Sequence, residues 1–275
     1  MQKSLRKITA KETLEITEKG FYINEQGIKI SIAEVQNKAV RNTRYYSSET
    51  LDDVLKKEVF TPKYDTIFEV SEETTLSSVL RINGEGFENP MCLNFASAKN
   101  PGGGFFNGAQ AQEESIARST GLYPCQISAI EFYETHRAMK SCIYTDGMIY
   151  SPKVPVLRTD SGKLLEKYIL SSIVTSAAVN TGVVKRFEAN KVSEIEKVMH
   201  TRIDKLLALA ALNEHKALVL GAWGCGVFQN DPKMIASLFS ELLKNKYKGV
   251  FERIVFAIYA KNKKFIEAFR NEFEQ

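Results

Sequence analysis

The chain has 275 residues, 44% hydrophobic and 25% charged, ordinary values for a protein that buries a sizeable core, which excludes a disordered chain. Lys and Arg number 37 against 33 Asp and Glu, a formal net charge of +4. The basic residues are scattered, so a dedicated nucleic-acid-binding role, which calls for clustered charge, is not expected. No apolar run approaches the roughly 18 residues of a membrane span, and the polar N-terminus carries no apolar secretion signal.

Residues 1–61, rich in Lys, Glu and Thr at first, read as a helical N-terminal extension. Apolar residues recur at helical spacing over 31–47 and 48–59, each stretch opening on a serine suited to an N-cap. After Pro62 the texture changes. Short β-branched or aromatic runs at 67–70, 91–95, 148–151, 169–178, 217–220 and 253–259 alternate with helical patterns at 73–80, 111–119, 127–140, 192–213, 232–246 and 263–272. Several runs are apolar throughout, as when helices cover both faces of a sheet. The alternation predicts an α/β domain of three layers, α/β/α, over 62–275. The four cysteines, Cys92, Cys125, Cys142 and Cys225, lie far apart with no CxxC pair. They read as reduced thiols of a cytoplasmic protein, and neither a disulfide framework nor a zinc site is expected.

The most informative stretch is 93–123, LNFASAKNPGGGFFNGAQAQEESIARSTGLY. An apolar strand runs into Asn100, Pro101, Gly102, Gly103 and Gly104, and a helix follows. Three glycines let the backbone take positive φ and approach a ligand closely, and in open α/β sheets ligands bind beyond the carboxyl ends of the strands. Asn107 with Gln110 resembles a capping box at the helix start, and Gly121 suits its end. Taken alone, GGG is most often a mobile turn and paired glutamates a solvated first turn. The glycine loop, an amide (Gln112) and two acids (Glu113, Glu114) together at a strand-to-helix turn point to chemistry instead. Neighbouring helix residues diverge by about 100°, so the two glutamates have different tasks. Two carboxylates flanking a sugar do not fit this spacing; one acid that protonates a leaving oxygen and then activates water does.

A second loop, GAWGCGVFQNDP, follows the apolar run at 217–220. Gly221, Gly224 and Gly226 permit a tight backbone whose N–H groups can cradle a diphosphate, Phe228 can stack on a base, and Pro232 suits a helix start. The plain alternative is a tight turn with Trp223 and Phe228 in the core. His136, His200 and His215 lie apart from both loops and read as surface or satisfied residues. Cys225 lacks any base signal and reads as a small packing residue, and Tyr45 and Tyr46 as packing groups that could touch ligand. No His, Cys and Asp cluster has metal-ligand spacing.

LNFASAKNPGGGFFNGAQAQEE resembles the glycine-rich and QEE signature of poly(ADP-ribose) glycohydrolases, closest to the compact bacterial-type enzymes built on a macrodomain. The resemblance continues through YSPKVP, IVTS and GAWGCGVFQNDP, over roughly residues 65–275. It implies a macrodomain with a mixed central sheet, and hydrolysis of ribose–ribose O-glycosidic bonds from the polymer terminus to release ADP-ribose, with no cofactor. Carried over residue by residue, Glu114 matches the catalytic acid, Glu113 the acid positioning the distal ribose, and Gln112 the preceding amide. Asn100, Gly102, Gly103 and Gly104 match the loop around the distal ribose and diphosphate. Gly224, Cys225, Gly226, Val227 and Phe228 match the diphosphate loop. The implied partners are poly(ADP-ribose) or ADP-ribose on modified proteins. An ADP-ribose-binding module, or a hydrolase of mono-ADP-ribosyl or O-acyl-ADP-ribose, remains open. Prolines expected near Ala177 and Val179 are missing, which bears on the rigidity of that rim.

Overall fold

The computed structural model describes residues 1–57 and 60–274; Glu58 and Val59, the end of the helical pattern at 48–59, and Gln275 lie outside the described residues. Helix α1 (Lys3–Lys19) leads into an antiparallel hairpin, β1 (Phe21–Ile23) and β2 (Lys29–Ser31), followed by α2 (Ala33–Asn42), β3 (Arg44–Tyr46) and α3 (Ser48–Lys57). Next come β4 (Ile67–Ser71), α4 (Thr75–Gly84), β5 (Met91–Phe95), α5 (Gln112–Ser119), α6 (Leu122–Ser128) and α7 (Glu131–Ala138). A long hairpin, β6 (Met148–Arg158) and β7 (Leu164–Ser176), precedes α8 (Thr181–Phe187) and α9 (Ile195–Leu212). The chain ends with β8 (Ala217–Leu220), α10 (Pro232–Lys244), β9 (Arg253–Ala257) and α11 (Lys264–Phe273).

Seven strands form one mixed sheet in the order β3-β6-β7-β5-β8-β9-β4. The pairs β3/β6 and β6/β7 are antiparallel and the remaining neighbours parallel. Alternation along each strand splits the core in two. Leu218, Leu220, Ile254 and Phe256 join the cluster built by α3, α9, α10 and α11. Their neighbours Val219, Val255 and Ala257 join a second cluster with residues of α2, α4, α5 and α6. Both sheet faces are therefore covered, which is why β8 is buried at all four positions. This is the three-layer α/β/α arrangement.

Several local readings change. The first 61 residues are not purely helical: they add three short strands, and β3 pairs with β6 at the edge of the large sheet, placing Tyr45 against Phe132. Ser31 does not cap α2, whose N-cap is Ile32 without a side-chain bond, whereas Ser47 Oγ accepts from Thr50 N–H at the start of α3. The pattern at 127–140 is two helices, α6 and α7, broken near Ala129. Strand β6 runs far past Ser151, with Pro152 taken up in a bulge between Ser151 and Val154 and Pro155 paired in register with Leu170.

One ionic cluster ties α9 to the loop before β6. Asp146 accepts from Arg202 Nε at 3.1 Å and from Lys205 Nζ at 3.0 Å, and Lys205 also reaches Asp52 on α3 at 2.7 Å. Both cations are buried. Asp146→Ala would leave Arg202 without a carboxylate, and removing one partner of a buried pair costs about 3–5 kcal/mol. Urea unfolding is expected to show a loss of that order.

Candidate active site

The parallel strands β4, β5, β7, β8 and β9 end on the same side of the sheet, and a cavity of about 650 Å³ opens there. Its walls include Thr75 after β4, Phe95 and Ala96 at β5, Ala178 after β7, the loop after β8, and Tyr259 after β9. The tip of the β6–β7 hairpin reaches the rim, where Asp160 accepts from the hydroxyls of Thr74, Ser77 and Ser115. The hairpin is thereby tied to α4 and α5.

Helix α5 begins at Gln112, one residue after an N-cap, Ala111, that makes no side-chain bond. The capping box expected from Asn107 and Gln110 is absent: 105–107 form a 3₁₀ turn that Gly108 closes at φ 71°. Gly121 does not terminate α5 either. It sits at φ −78° before α6, where a Cβ would overlap Gln36, whose Nε2 donates to Gly121 O. The start of α5 is fastened instead by Gln112. Its Oε1 accepts from Phe95 N–H at 2.8 Å, and its Nε2 donates to Leu93 O at 2.6 Å and Thr75 Oγ1 at 3.0 Å.

The two glutamates diverge as their spacing requires. Glu113 turns inward and is 4% exposed. Its carboxyl accepts from Ser97 N–H at 2.7 Å, Asn94 Nδ2 at 3.2 Å and Gln126 Nε2 at 3.3 Å. Burial pushes its pKa up to about 8, assisted by the neighbouring Glu114 and opposed by those hydrogen bonds. Glu114 turns to the glycine loop. Gly104 N–H donates to its Oε1 at 2.9 Å, while Oε2 is enclosed and has no partner among the described residues. Gly103 lies at φ +58°, and a Cβ there would stand 2.5 Å from Glu114 Oε1 and 3.0 Å from Glu113 Oε2. Only glycine lets the loop touch both carboxyls.

In the second loop, Gly224 at φ +73° leaves no room for a Cβ, which would meet Asn230 Nδ2 at 2.4 Å. Asn230 binds the loop together, donating from its Nδ2 to Val179 O and from its backbone N–H to Gly224 O. The N–H groups of Gly226, Val227 and Phe228 make no bond among the described residues, as an anion cradle needs. Gly226 is exposed with open space around its Cα, and Val227 is 81% exposed.

Of the residues singled out in the sequence, Gln112, Gly224, Gly226, Val227 and Phe228 line the cavity. Glu113, Glu114, Gly103 and Gly104 are not among its lining residues; they form a cluster of their own, next in the chain to the lining residues Gln112 and Ser115. Asn100 is exposed, and its backbone O accepts from Gly103 N–H. Cys225 contributes backbone only: its side chain lies in the core, where burial pushes the thiol up to about 12. His136 and His215 are buried away from the cleft with pKa values lowered by burial to about 4, and His200 faces Glu241 near the surface. Sequence reading missed Asn94, Gln126 and Asp160. Asn94 alone had a visible signal, an amide inside an otherwise apolar strand.

The raised Glu113 sets a pH dependence. In the fold it keeps its proton until about pH 8, whereas an unfolded glutamate releases it near 4.5. The unfolded chain thus binds fewer protons between those values, and stability falls as pH rises from about 5 to 8. Glu113→Gln is expected to abolish this contribution, measured by urea unfolding of both proteins across that range.

Comparison with known proteins agrees with this geometry. Residues 10–159 match the family described as microbial-type PARG, catalytic domain. Poly(ADP-ribose) glycohydrolase (PARG) from Thermomonospora curvata is 41% identical, with 98% of this chain and 100% of that chain covered and a TM-score of 0.94. The same enzyme bound to the inhibitor ADP-HPD gives 42%, 98% and 100%, and 0.91. PARG from Deinococcus radiodurans in complex with ADP-ribose gives 39%, 87% and 97%, and 0.83. No curated protein matches. With more than half its length matched to that family and 98% of it covered at 41% identity by one of these enzymes, the chain belongs to the microbial-type poly(ADP-ribose) glycohydrolase family.

Proposed function

We infer that the chain is a poly(ADP-ribose) glycohydrolase that hydrolyses ribose–ribose O-glycosidic bonds, working from the polymer terminus and releasing ADP-ribose. The observation that carries the mechanism is Glu114: one carboxyl oxygen is anchored by Gly104 N–H and the other has no partner among the described residues. Such a group is oriented yet retains an oxygen for proton exchange. The complexes of related enzymes with ADP-ribose and ADP-HPD support occupation of the cleft by ADP-ribose.

In this reading the diphosphate rests on the N–H groups of Gly226, Val227 and Phe228, and the Phe228 ring stacks on the base. Asn100, Gly102, Gly103 and Gly104 surround the distal ribose, and Glu113 positions it. Gln112 acts indirectly, by holding α5 against β5. Glu114 donates its proton to the departing ribose oxygen as the glycosidic C–O bond breaks, and positive charge develops on the distal ribose. The Glu114 carboxylate then removes a proton from water as that water adds to the anomeric carbon. The acid is regenerated, and the products are ADP-ribose and a polymer one unit shorter.

General acid–base catalysis contributes about 10²–10⁴-fold, so Glu114→Gln is expected to lower turnover on poly(ADP-ribose) by that factor while calorimetric ADP-ribose affinity changes little. Near wild-type turnover in this variant would remove Glu114 from its role. Gly103→Ala is expected to cost about 10²-fold through displacement of both carboxyls, with Gly84→Ala, at an exposed position with open space around it, as the folded, nearly neutral control. Gly226→Glu, which places a negative charge in the anion cradle, is expected to weaken ADP-ribose binding in the same calorimeter. Released ADP-ribose from automodified polymer and from mono-ADP-ribosylated protein, read by mass spectrometry, separates polymer hydrolysis from the other hydrolase activities.

A further inference from the structure

The face of the sheet that packs on α5 and α6 is largely apolar, and polar side chains gather on it beside Glu113. There Asn94 on β5 and Thr175 on β7 stand in register, and Asn94 Nδ2 bridges Thr175 Oγ1 and the Glu113 carboxyl, both at 3.2 Å. Gln126 on α6 and Tyr133 on α7 stand around the same carboxyl, and all four residues have no exposed surface. Three N–H donors converge on Glu113, which leaves Asn94 Oδ1, Gln126 Oε1 and Tyr133 Oη buried without partners among the described residues. A fold that only needed a packed core would place apolar side chains here, because each orphaned polar atom costs stability.

No cation answers the carboxyl. Among the described residues Glu113 forms no ion pair. The ionisable groups facing it are Glu114 on its own helix and Tyr133 on α7, with Arg137 and Tyr123 beyond Tyr133. The arginines on the other elements packed against α5 are engaged elsewhere: Arg6 with Gly108 O, Arg81 with Glu69 and Glu73, Arg158 with Thr13 and Glu12. A carboxyl that is buried, uncompensated and next to a second carboxyl favours its neutral form. The amides serve that form as well. A half-turn of the Gln126 or Asn94 amide replaces a donated N–H with an oxygen that accepts an O–H, so the enclosure satisfies Glu113 in either state.

We propose that Asn94 and Gln126 are positioning residues for the reaction: they orient the Glu113 carboxyl so that it meets the substrate as a neutral hydrogen-bond donor, leaving proton exchange to Glu114. The proposal rests on the glycohydrolase reading for its catalytic consequence, and on geometry alone for the protonation state. In that state Glu113 can donate to a hydroxyl of the distal ribose, which a carboxylate cannot do. The polar enclosure holds the carboxyl's proton affinity below what burial alone would produce, because each donated N–H favours the ionised form.

The test combines infrared spectroscopy with pH profiles on the whole chain. The infrared difference between wild type and Glu113→Gln at neutral pH is expected to contain a protonated carboxyl band. Its absence would overturn the proposal, whatever the activity. Turnover on poly(ADP-ribose) is expected to decline as pH rises through about 8. Gln126→Met, which removes a donor but keeps much of the shape, is expected to move that decline to higher pH and to lower kcat by about 10- to 100-fold. Asn94→Leu, which removes the other side-chain donor at similar volume, is expected to move the decline the same way, whereas Tyr133→Phe removes a hydroxyl that bonds nothing among the described residues and is expected to leave the decline in place. Purely structural roles would change Tm and leave the pH profile in place, and that result would overturn the proposal. If Gln126→Met does not fold, Asn94→Leu decides the matter. A wild-type protein inactive on the polymer would refute the glycohydrolase reading and leave the infrared result to judge the protonation state.

Discussion

Close approach of backbone to carboxyl at Gly103 is the constraint on which the site depends. With φ at +58° and no Cβ, this residue lies against Glu113 and Glu114 at once. A side chain would force one of them away. Gly104 N–H can then reach Glu114, and the first turn of α5 is seated against the end of β5, where Gln112 bonds Phe95 N–H and Leu93 O. Once α5 is fastened at that point, helical geometry determines the rest. Glu114 faces the loop and Glu113, about 100° further round, has nowhere to go but the interior. Its burial, and hence its raised proton affinity, is a consequence of where the loop allows the helix to begin.

The second loop uses the same economy. Asn230 accepts from Thr181 Oγ1 and donates to Val179 O and Gly224 O, so a single side chain and its backbone N–H join the ends of β7 and β8. This also answers the question raised by the missing prolines. Ala177, Ala178 and Val179 are buried, Asn180 caps α8, and the rim is held by packing and by Asn230 rather than by restricted φ. The free N–H groups of Gly226, Val227 and Phe228 are therefore fixed in place before any anion arrives, which spares the reorganisation that binding would otherwise require.

What could be read in the sequence follows from how local the cause is. The strand runs at 91–95 and 217–220 coincide with β5 and β8 because short, mainly apolar runs are bounded by Pro90 before the first and Gly221 after the second. The start of α10 was equally plain, since Asp231 caps it and Pro232 occupies the first turn. The glutamate pair and both glycine loops were legible because the chemistry is written in consecutive residues. The start of α5 was misread because a tertiary clasp, Gln112 on β5, replaces the local cap that Asn107 imitates. Strand β3 was missed because three residues carry no period, and their pairing partner lies about a hundred positions later. Gln126 and Asp160 had no signal of their own: an amide on a short helix and an acid at a hairpin tip acquire meaning only from what folds against them.

The same reasoning explains why the N-terminal segment is bound to the chemistry although it contributes none of the reacting groups. The 3₁₀ turn at 105–107 is supported from outside by α1, whose Arg6 Nε donates to Gly108 O at 2.7 Å. Gly108 itself is pressed so closely on α1 that a Cβ would stand 2.6 Å from Lys3 O. Further along, Thr13 Oγ1 donates to Arg118 O, at the far end of α5, and accepts from Arg158 of β6. One helix thus braces the glycine loop, the helix that carries Glu113 and Glu114, and the long hairpin together. The family match beginning at residue 10 runs across position 62 without a break, as expected if the brace and the loop it supports form one cooperative unit. A loop rich in glycine has little rigidity of its own. Its precision at Gly103 and Gly104 is imposed by what packs on either side, α5 on one and α1 on the other.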